Sequence, residues 1–229
     1  MKNRAVPILM FVFTVSGCGG DSSDAKSSAG LKSENASVCF NNNLYTVGSE
    51  YALITKEDSN AAEIINYKVL DEMLFKGQSA VRVQVTDASS SAYTYFSVDE
   101  NNKSYSLLGF TEGDIESYYT PGKLTKFNIK SGNAYEQTLT LIHESPKINS
   151  EFVYNHKTIF KGLESITVPA GTYNTCKFES NYSVTTPDGG SENLNYTMWY
   201  AVEYGFSVKL VSDKSTTELI EAKINGAKI

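Results

Sequence analysis

The sequence predicts an all-β protein, an antiparallel meander that forms a curved sheet or a half-open β-barrel. The first observation is alternation with a period of two: Val81, Val83 and Val85 alternate with polar residues, as in a strand with one solvated face. The second is the even spacing of many short strand-like runs, each followed by turn-forming residues. The third is composition, since the 15 tyrosines and the many Thr, Ser and Val residues suit pleated, half-buried surfaces.

The predicted strands follow one another closely along the chain. In order they are Tyr51–Thr55, Ile64–Leu70, Val81–Thr86, Tyr93–Val98, Ser104–Leu108, Lys123–Lys130, Gln137–His143, Phe152–Phe160, Ser165–Val168, Cys176–Val184, Leu194–Tyr200, Phe206–Val211 and Thr217–Ile224. Only Asp71–Lys76 and Glu112–Tyr119 are candidates for a helical turn. A parallel α/β fold is therefore not expected, because it needs a helix between successive strands.

Turn residues mark two late hairpins. Pro187-Asp188-Gly189-Gly190 separates two strand-like runs; proline presets one turn dihedral and glycine permits positive φ. Val168-Pro169-Ala170-Gly171 has proline and glycine at the positions that a type I turn prefers. Both segments predict antiparallel pairing of the strands on either side.

The N-terminus has the pattern of an export signal. Lys2 and Arg4 precede a short apolar run, which is followed by Val15-Ser16-Gly17-Cys18. This stretch resembles a bacterial lipobox, in which an apolar residue and two small ones precede an acylated cysteine. The resemblance implies that residues 1–17 are a lipoprotein signal peptide and that Cys18 carries diacylglycerol and an amide-linked acyl chain such as palmitate. Gly19 after the cysteine implies sorting to the outer membrane.

The rest of the chain divides into a tether and one domain. Residues 18–37 are rich in Ser, Gly and Asp and predict a flexible tether, and residues 38–229 predict a single β domain. The formal net charge is −6, and removal of the signal would make it more negative by two. Because an acidic chain without a basic cluster is repelled by phosphate backbones, we expect no nucleic-acid partner.

Cys39 and Cys176 remain once Cys18 is lipidated. An oxidising compartment favours a disulfide between them, which would join the start of the domain to a late strand. The alternative is two unpaired thiols, with Cys176 buried as a small apolar residue. A metal site is not expected, because neither cysteine has a Cys or His neighbour at ligand spacing.

A second resemblance covers roughly Leu163 to Val211. Val168-Pro169-Ala170-Gly171-Thr172-Tyr173, Cys176-Lys177, Trp199-Tyr200-Ala201 and Gly205 are similar to a pattern in uncharacterised bacterial envelope proteins. Those proteins carry Phe where this chain has Tyr173, and Pro where it has Val202. The resemblance implies an all-antiparallel domain with a concave face like that of lipoprotein carriers, and it implies no activity.

No catalytic residue, metal site or cofactor is expected. His143 and His156 lack acidic or cysteine neighbours in a known pattern, so we interpret both as surface or strand-end histidines. The acidic clusters at Asp99-Glu100 and Glu112-Gly113-Asp114-Ile115-Glu116 lack calcium-loop spacing and are interpreted as solvated turns. Known nucleophile and phosphate-loop motifs do not occur in the sequence. We therefore expect a protein that is not an enzyme.

The aromatic residues are the candidate ligand contacts. Rings with polar tips can line a concave surface for lipid, sugar or peptide, and equally they can form the core and cross-strand pairs of a β domain. The residues chosen as candidates for ligand binding are Tyr95, Tyr105, Tyr196, Trp199 and Tyr200.

These observations predict a lipid-anchored protein of the bacterial envelope, attached to the outer membrane. The first hypothesis is a non-catalytic binding module for a small amphiphile or a peptide, which requires a cavity larger than packing leaves. The second is a structural or assembly lipoprotein that contacts other envelope proteins through a strand edge. The third, a hydrolase of unrecognised type, requires His143 or His156 to meet acids in a cleft.

Overall fold

The computed structural model describes residues 34–146 and 149–229. Within them lie thirteen strands of one sheet: β1 Glu50–Glu57, β2 Glu63–Phe75, β3 Gln78–Thr86, β4 Ser91–Asp99, β5 Ser104–Glu112, β6 Ile115–Lys126, β7 Ala134–Glu144, β8 Asn149–Val168, β9 Gly171–Thr185, β10 Ser191–Ala201, β11 Ser207–Ser212, β12 Thr216–Ile224 and β13 Ala227–Lys228. Two short 3-10 helices, Ala36–Cys39 and Asn42–Tyr45, precede β1.

The sheet closes on itself. Each strand pairs with the next along the chain, and β1 also pairs with β12, from Tyr51↔Ile224 to Glu57↔Thr217. Strands β1 to β12 therefore form a closed antiparallel barrel, and β13 extends β12 as a short hairpin. The predicted all-β antiparallel meander is confirmed. The barrel is closed rather than half-open because the two ends of the sheet pair with each other.

Both candidate helical turns are wrong. Asp71–Lys76 lies mostly in β2, which pairs with β3 up to Phe75↔Gln78. Glu112–Tyr119 forms the β5–β6 hairpin, where Glu112 pairs with Ile115. In both places cross-strand hydrogen bonds satisfy the backbone groups, so local sequence preference does not decide the structure.

Several strands extend beyond their predicted bounds, and β8 and β6 show why. The runs Phe152–Phe160 and Ser165–Val168 belong to the single strand β8, which continues through a register shift between Phe160 and Gly162. The predicted strand Lys123–Lys130 corresponds to β6, which begins at Ile115 and ends at Lys126. A bulge bends a strand without ending it, and a period-two pattern is broken at such a point.

The predicted tether extended to residue 37, but its last residues pack on the barrel. Asn35 forms a β-bridge with Lys130, and the Ala36 N–H donates to the Ile129 carbonyl at 2.9 Å. Ala36 is completely buried, in the same hydrophobic cluster as Cys39 and Cys176. The disulfide from Cys39 to Cys176 on β9 holds this segment against the barrel. The folded domain therefore includes residues that composition assigned to the tether.

Candidate functional site

Aromatic side chains from many strands meet inside the barrel. On β10, Tyr196, Met198 and Tyr200 share one face because side chains alternate along a strand. Tyr200 packs edge-on against Phe178 at 5.7 Å between ring centroids, in the buried cluster that contains Phe127 and Phe160. This face of β10 is therefore the inner face.

Tyr105 on β5 reaches the same interior from the other side. Its ring lies 5.3 Å from Tyr45, which the second 3-10 helix places there, and 5.7 Å from Phe96. Burial raises the pKa of Tyr200 well above its usual value, and the neighbouring Tyr105 hydroxyl raises it further. The Tyr200 hydroxyl consequently stays neutral and can both donate and accept a hydrogen bond.

The interior is not completely filled by these rings. Three inward-facing tyrosines are only partly buried by accessible surface: Tyr135, Tyr182 and Tyr200. They nevertheless lie deep in the protein, since burial is the main cause that raises the pKa of each. A side chain deep in the protein keeps accessible surface only where it borders a space. These three tyrosines therefore border accessible space on the inner side of the barrel wall.

Lys123 on β6 points into this interior. Its amino group lies 5.0 Å from the centre of the Tyr182 ring, a cation–π distance. Burial lowers the pKa of Lys123, and the nearby Tyr105 acts in the opposite direction. Within residues 34–146 and 149–229, no carboxylate forms an ion pair with it. A buried cation without an anionic partner is costly, so this position calls for one.

His156 on β8 lies beside Lys123. The imidazole is 4% exposed, and neither ring nitrogen has a hydrogen-bond partner in the described part of the chain. Its ring centroid lies 5.0 Å from that of Tyr182 and 5.9 Å from that of Tyr135. Burial, followed by the charge of Lys123, lowers the pKa of His156 to about 4. The ring is neutral near pH 7 and offers one donor and one acceptor.

The barrel wall beside Lys123 is held together by side chains. In the described residues, β6 and β7 pair only from Glu116↔Glu144 to Thr120↔Thr140. Beyond that point Gln137 takes the place of the backbone: its Oε1 accepts from the Leu124 N–H at 3.0 Å, and its Nε2 donates to the Gly122 carbonyl at 2.8 Å. We call this stretch, residues 122–126 facing 134–139, the β6–β7 seam.

The structure divides the five sequence-predicted ligand contacts into two groups. Tyr105, Tyr196 and Tyr200 face the interior, where Tyr196 lies 5.5 Å from Tyr182. Tyr95 and Trp199 lie on the opposite faces of β4 and β10. The five residues therefore do not form one surface.

The two outward-facing rings have structural partners there. Tyr95 stacks on Phe75 at 3.9 Å, and its hydroxyl lies 3.3 Å from Thr111 Oγ1. Trp199 donates its indole N–H to Glu164, and Lys177 lies over its ring at 5.3 Å. Both rings are accounted for by packing on the outside of the barrel.

The interpretation of the histidines as surface or strand-end residues is wrong for His156, which is buried well inside β8. His143 does lie at a strand end, one residue before β7 finishes, and it shares the inner face of β7 with Leu139 and Leu141. His143 Nδ1 lies 2.6 Å from Ser117 Oγ, but Ser117 has no exposed surface. A serine enclosed in this way cannot reach a substrate, so the pair is a part-buried structural hydrogen bond.

The sequence analysis did not single out Lys123, Tyr182 or Gln137, and it interpreted His156 as a surface or strand-end residue. Their inward orientation follows from strand register, which is interrupted near β6 by the shift between Leu107 and Gly109 on β5. A signal was present for Tyr182, which stands in the predicted strand Cys176–Val184 at the same parity as Cys176, and for His156, which stands at the same parity as Tyr154 and Phe160 in the predicted strand Phe152–Phe160.

Cys39 and Cys176 form a disulfide across 137 residues, with their Cα atoms 6.2 Å apart. It ties the N-terminal segment to β9 inside the cluster that contains Tyr105 and Tyr200. Cys18, the predicted lipidation site, lies outside the described residues.

In the described ranges, no group of three His, Cys, Asp or Glu side chains is arranged to hold a metal ion. Neither of the helices in the part of the chain that the structure describes has the length and apolar character needed to cross a membrane.

The chain belongs to the DUF3108-like family, whose model matches residues 55–217. A Bacteroides fragilis protein described as exported, with a YmcC-like fold, has a similar structure: TM-score 0.52 at 13% identity, covering 78% of this chain and 96% of that one. A Parabacteroides distasonis protein described as a lipoprotein has TM-score 0.52 at 17% identity, with coverage of 78% and 96%. The hypothetical lipoprotein YmcC from Escherichia coli K12 has TM-score 0.43 at 11% identity, with coverage of 82% and 89%. No curated protein matches the sequence.

Proposed function

We propose that this DUF3108-like protein is a non-catalytic, lipid-anchored protein of the bacterial envelope that holds an amphiphilic or peptide ligand inside its barrel. The observation that carries the proposal is that Tyr105, Tyr182 and Tyr200 face the interior yet keep accessible surface, with apolar rings and hydroxyls that can donate hydrogen bonds. A binding site for a small ligand typically combines an apolar wall with a few polar groups. A core built only for stability would leave no such space.

The location rests on the N-terminal pattern. The lipobox Val15-Ser16-Gly17-Cys18 predicts a lipid anchor, and Gly19 favours the outer membrane. Two proteins of similar fold are described as exported and as a lipoprotein, which agrees with this location. A periplasmic domain beside a membrane would meet amphiphiles and peptides directly.

The alternative, an assembly protein that pairs through a strand edge, has less support. Pairing of β1 with β12 closes the barrel, so among the described strands only the two-residue β13 lies at an end of the sheet. A strand so short offers little backbone for pairing with another chain.

The first test is ligand recovery from the mature chain, exported to the periplasm behind an ordinary cleavable signal and without lipid, so that no detergent is needed. Native mass spectrometry before and after solvent extraction should reveal a stoichiometric bound molecule. Binding of N-phenyl-1-naphthylamine, a neutral fluorescent amphiphile, should appear after extraction. A clean apo mass together with no dye binding would overturn the proposal.

A matched pair of variants tests whether the ligand lies inside. Ser180 faces the interior, where it bonds Thr158 at 2.8 Å, and the next residue, Asn181, is exposed on the outside. Ser180→Phe should fill the space and abolish dye binding, whereas Asn181→Phe should leave it unchanged. Circular dichroism establishes that both variants fold. If Ser180→Phe does not fold, Tyr182→Ala should change the dye affinity with the same control.

A further inference from the structure

We infer that the ligand is an amphiphile with a single anionic headgroup, a carboxylate or a phosphate, and that Lys123 and His156 hold this headgroup inside the barrel. The inference rests on the proposed function, because it names the chemistry of the molecule that the interior takes.

The first observation is the unpaired cation. The Lys123 amino group lies inside the barrel against the Tyr182 ring at 5.0 Å, and no carboxylate of the described residues pairs with it. Each salt bridge among the described residues is formed by a lysine or arginine other than Lys123. Buried charges in folded proteins are paired, so an anion from outside the chain is the expected partner.

The second observation is independent of the first. His156 is 4% exposed, yet both its ring nitrogens lack a partner in the described part of the chain. Buried polar atoms are almost always hydrogen-bonded, and those that are not call for an explanation such as a bound molecule. A neutral imidazole can donate one N–H to an oxygen of an anion.

The two groups share one neighbour. Lys123 lies over the Tyr182 ring, the His156 ring is tilted against it at 5.0 Å, and the charge of Lys123 acts on the imidazole. A headgroup placed among them would pair with the ammonium and accept from the imidazole. Charge-assisted hydrogen bonds of this kind are among the strongest in proteins.

The surroundings favour an amphiphile over a small free anion. Tyr135, Tyr182 and Tyr196 present ring faces and edges around this position, which would contact an acyl chain. The protein as a whole carries a formal net charge of −6, so a soluble anion is repelled at long range. A chain that enters the interior gains burial of apolar surface as well as the ion pair.

The test uses the same delipidated mature chain and displacement of N-phenyl-1-naphthylamine. Palmitate and palmitoyl-lysophosphatidic acid should displace the dye at concentrations about tenfold or more below that of monopalmitoylglycerol, which is neutral. Lys123→Met should remove this preference, and Lys123→Arg should retain it. Lys126→Met is the matched control, because Lys126 lies on the opposite face of β6 and should leave the preference unchanged. His156→Phe should weaken palmitate binding several-fold, which keeps the test usable if Lys123→Met does not fold.

Three results would contradict parts of the argument separately. Equal displacement by the anionic and neutral lipids, with dye binding intact and Lys123→Met indistinguishable from wild type, overturns the anion inference and leaves the proposed function standing. Absence of all dye and lipid binding overturns the proposed function itself. If inorganic phosphate binds as tightly as lysophosphatidic acid in calorimetry, the ligand is a free anion and the amphiphile part is wrong.

Discussion

The side-chain oxygen of Gln137 accepts a hydrogen bond from the backbone N–H of Leu124 at 3.0 Å, in a stretch of the barrel wall where β6 and β7 have no backbone ladder. One side chain thus does what a pair of peptide groups does elsewhere in the sheet. This relationship makes the β6–β7 seam sensitive to single substitutions.

Replacement Gln137→Leu should open the seam locally. It leaves the Leu124 N–H and the Gly122 carbonyl without their partner, at a cost of about 2 kcal/mol in the free energy of unfolding. Hydrogen exchange measured by NMR should show faster exchange at the Leu124 amide. Thr138→Val is the control, since its hydroxyl bonds Asn155 on the exposed face. Equal exchange at Leu124 in both variants would show that Gln137 does not hold the seam.

Loss of the Cys39–Cys176 disulfide should destabilise the domain strongly. The bond closes a loop of 137 residues, and the chain-entropy model assigns about 4–5 kcal/mol to a loop of this length. Urea denaturation of wild type with and without reductant measures the loss. The double variant Cys39→Ala with Cys176→Ala should be equally weak and insensitive to reductant. A reductant effect that persists in this variant would assign the loss to another cause.

The domain should lose stability as the pH falls from about 6.5 towards 4. Above pH 6.5 His156 is neutral in both the folded and the unfolded protein. Below pH 6.5 the unfolded chain binds a proton at His156, whereas the folded protein does not, because burial lowers the pKa of His156 to about 4. Up to about 3 kcal/mol is lost across this window, and no more below it. Denaturant titrations at several pH values should show a flatter profile for His156→Phe. His143→Phe is the control: because it keeps His156, it should still lose the stability that His156 accounts for as the pH falls. A pH profile of His156→Phe equal to that of wild type would show that His156 is not the cause.

Gly109→Ala should destabilise far more than Gly113→Ala. A methyl group at Gly109 would lie 2.8 Å from a Phe75 ring atom and 2.9 Å from the Tyr118 Cα, so packed groups would have to move. Overpacking of this kind costs about 3 kcal/mol. At Gly113 an added methyl group would meet nothing within 4 Å. Only the backbone φ of +55° opposes this substitution, which should lower the free energy of unfolding by about 1 kcal/mol. Thermal denaturation compares them, and equal losses would contradict the close packing at Gly109.

Trp199 should contribute to stability and not to ligand binding. It is the single tryptophan of the chain and donates to Glu164 on the outer face of β10. Trp199→Phe should lower the free energy of unfolding by about 1–2 kcal/mol and leave the affinity for N-phenyl-1-naphthylamine within twofold. Tyr200→Ala, one residue along the strand on the inner face, should change that affinity. Loss of dye binding in Trp199→Phe would place the ligand outside the barrel.

Much of the architecture could be predicted from local pattern. The alternation around Val81, Val83 and Val85 and the turn residues at Pro187–Gly190 correspond to β3 and to the β9–β10 hairpin. Tyr105, Tyr196 and Tyr200 could be named as candidates because they are aromatic residues with polar tips in predicted strands, but the pattern did not give the face on which each lies. Tyr95 and Trp199 could not be assigned to a face, because both faces of this sheet carry packed rings.

By itself, the sequence determined the all-β class, the antiparallel order and the pattern of an exported, lipid-anchored chain, because hydrophobic period, turn chemistry and signal composition are local properties. Only the tertiary structure decided that the sheet closes, that Cys39 reaches Cys176, and that Lys123 and His156 meet at Tyr182 inside it. These features depend on register between strands distant in the chain. A shift of one residue reverses which side chains face inward, and no local pattern specifies that shift.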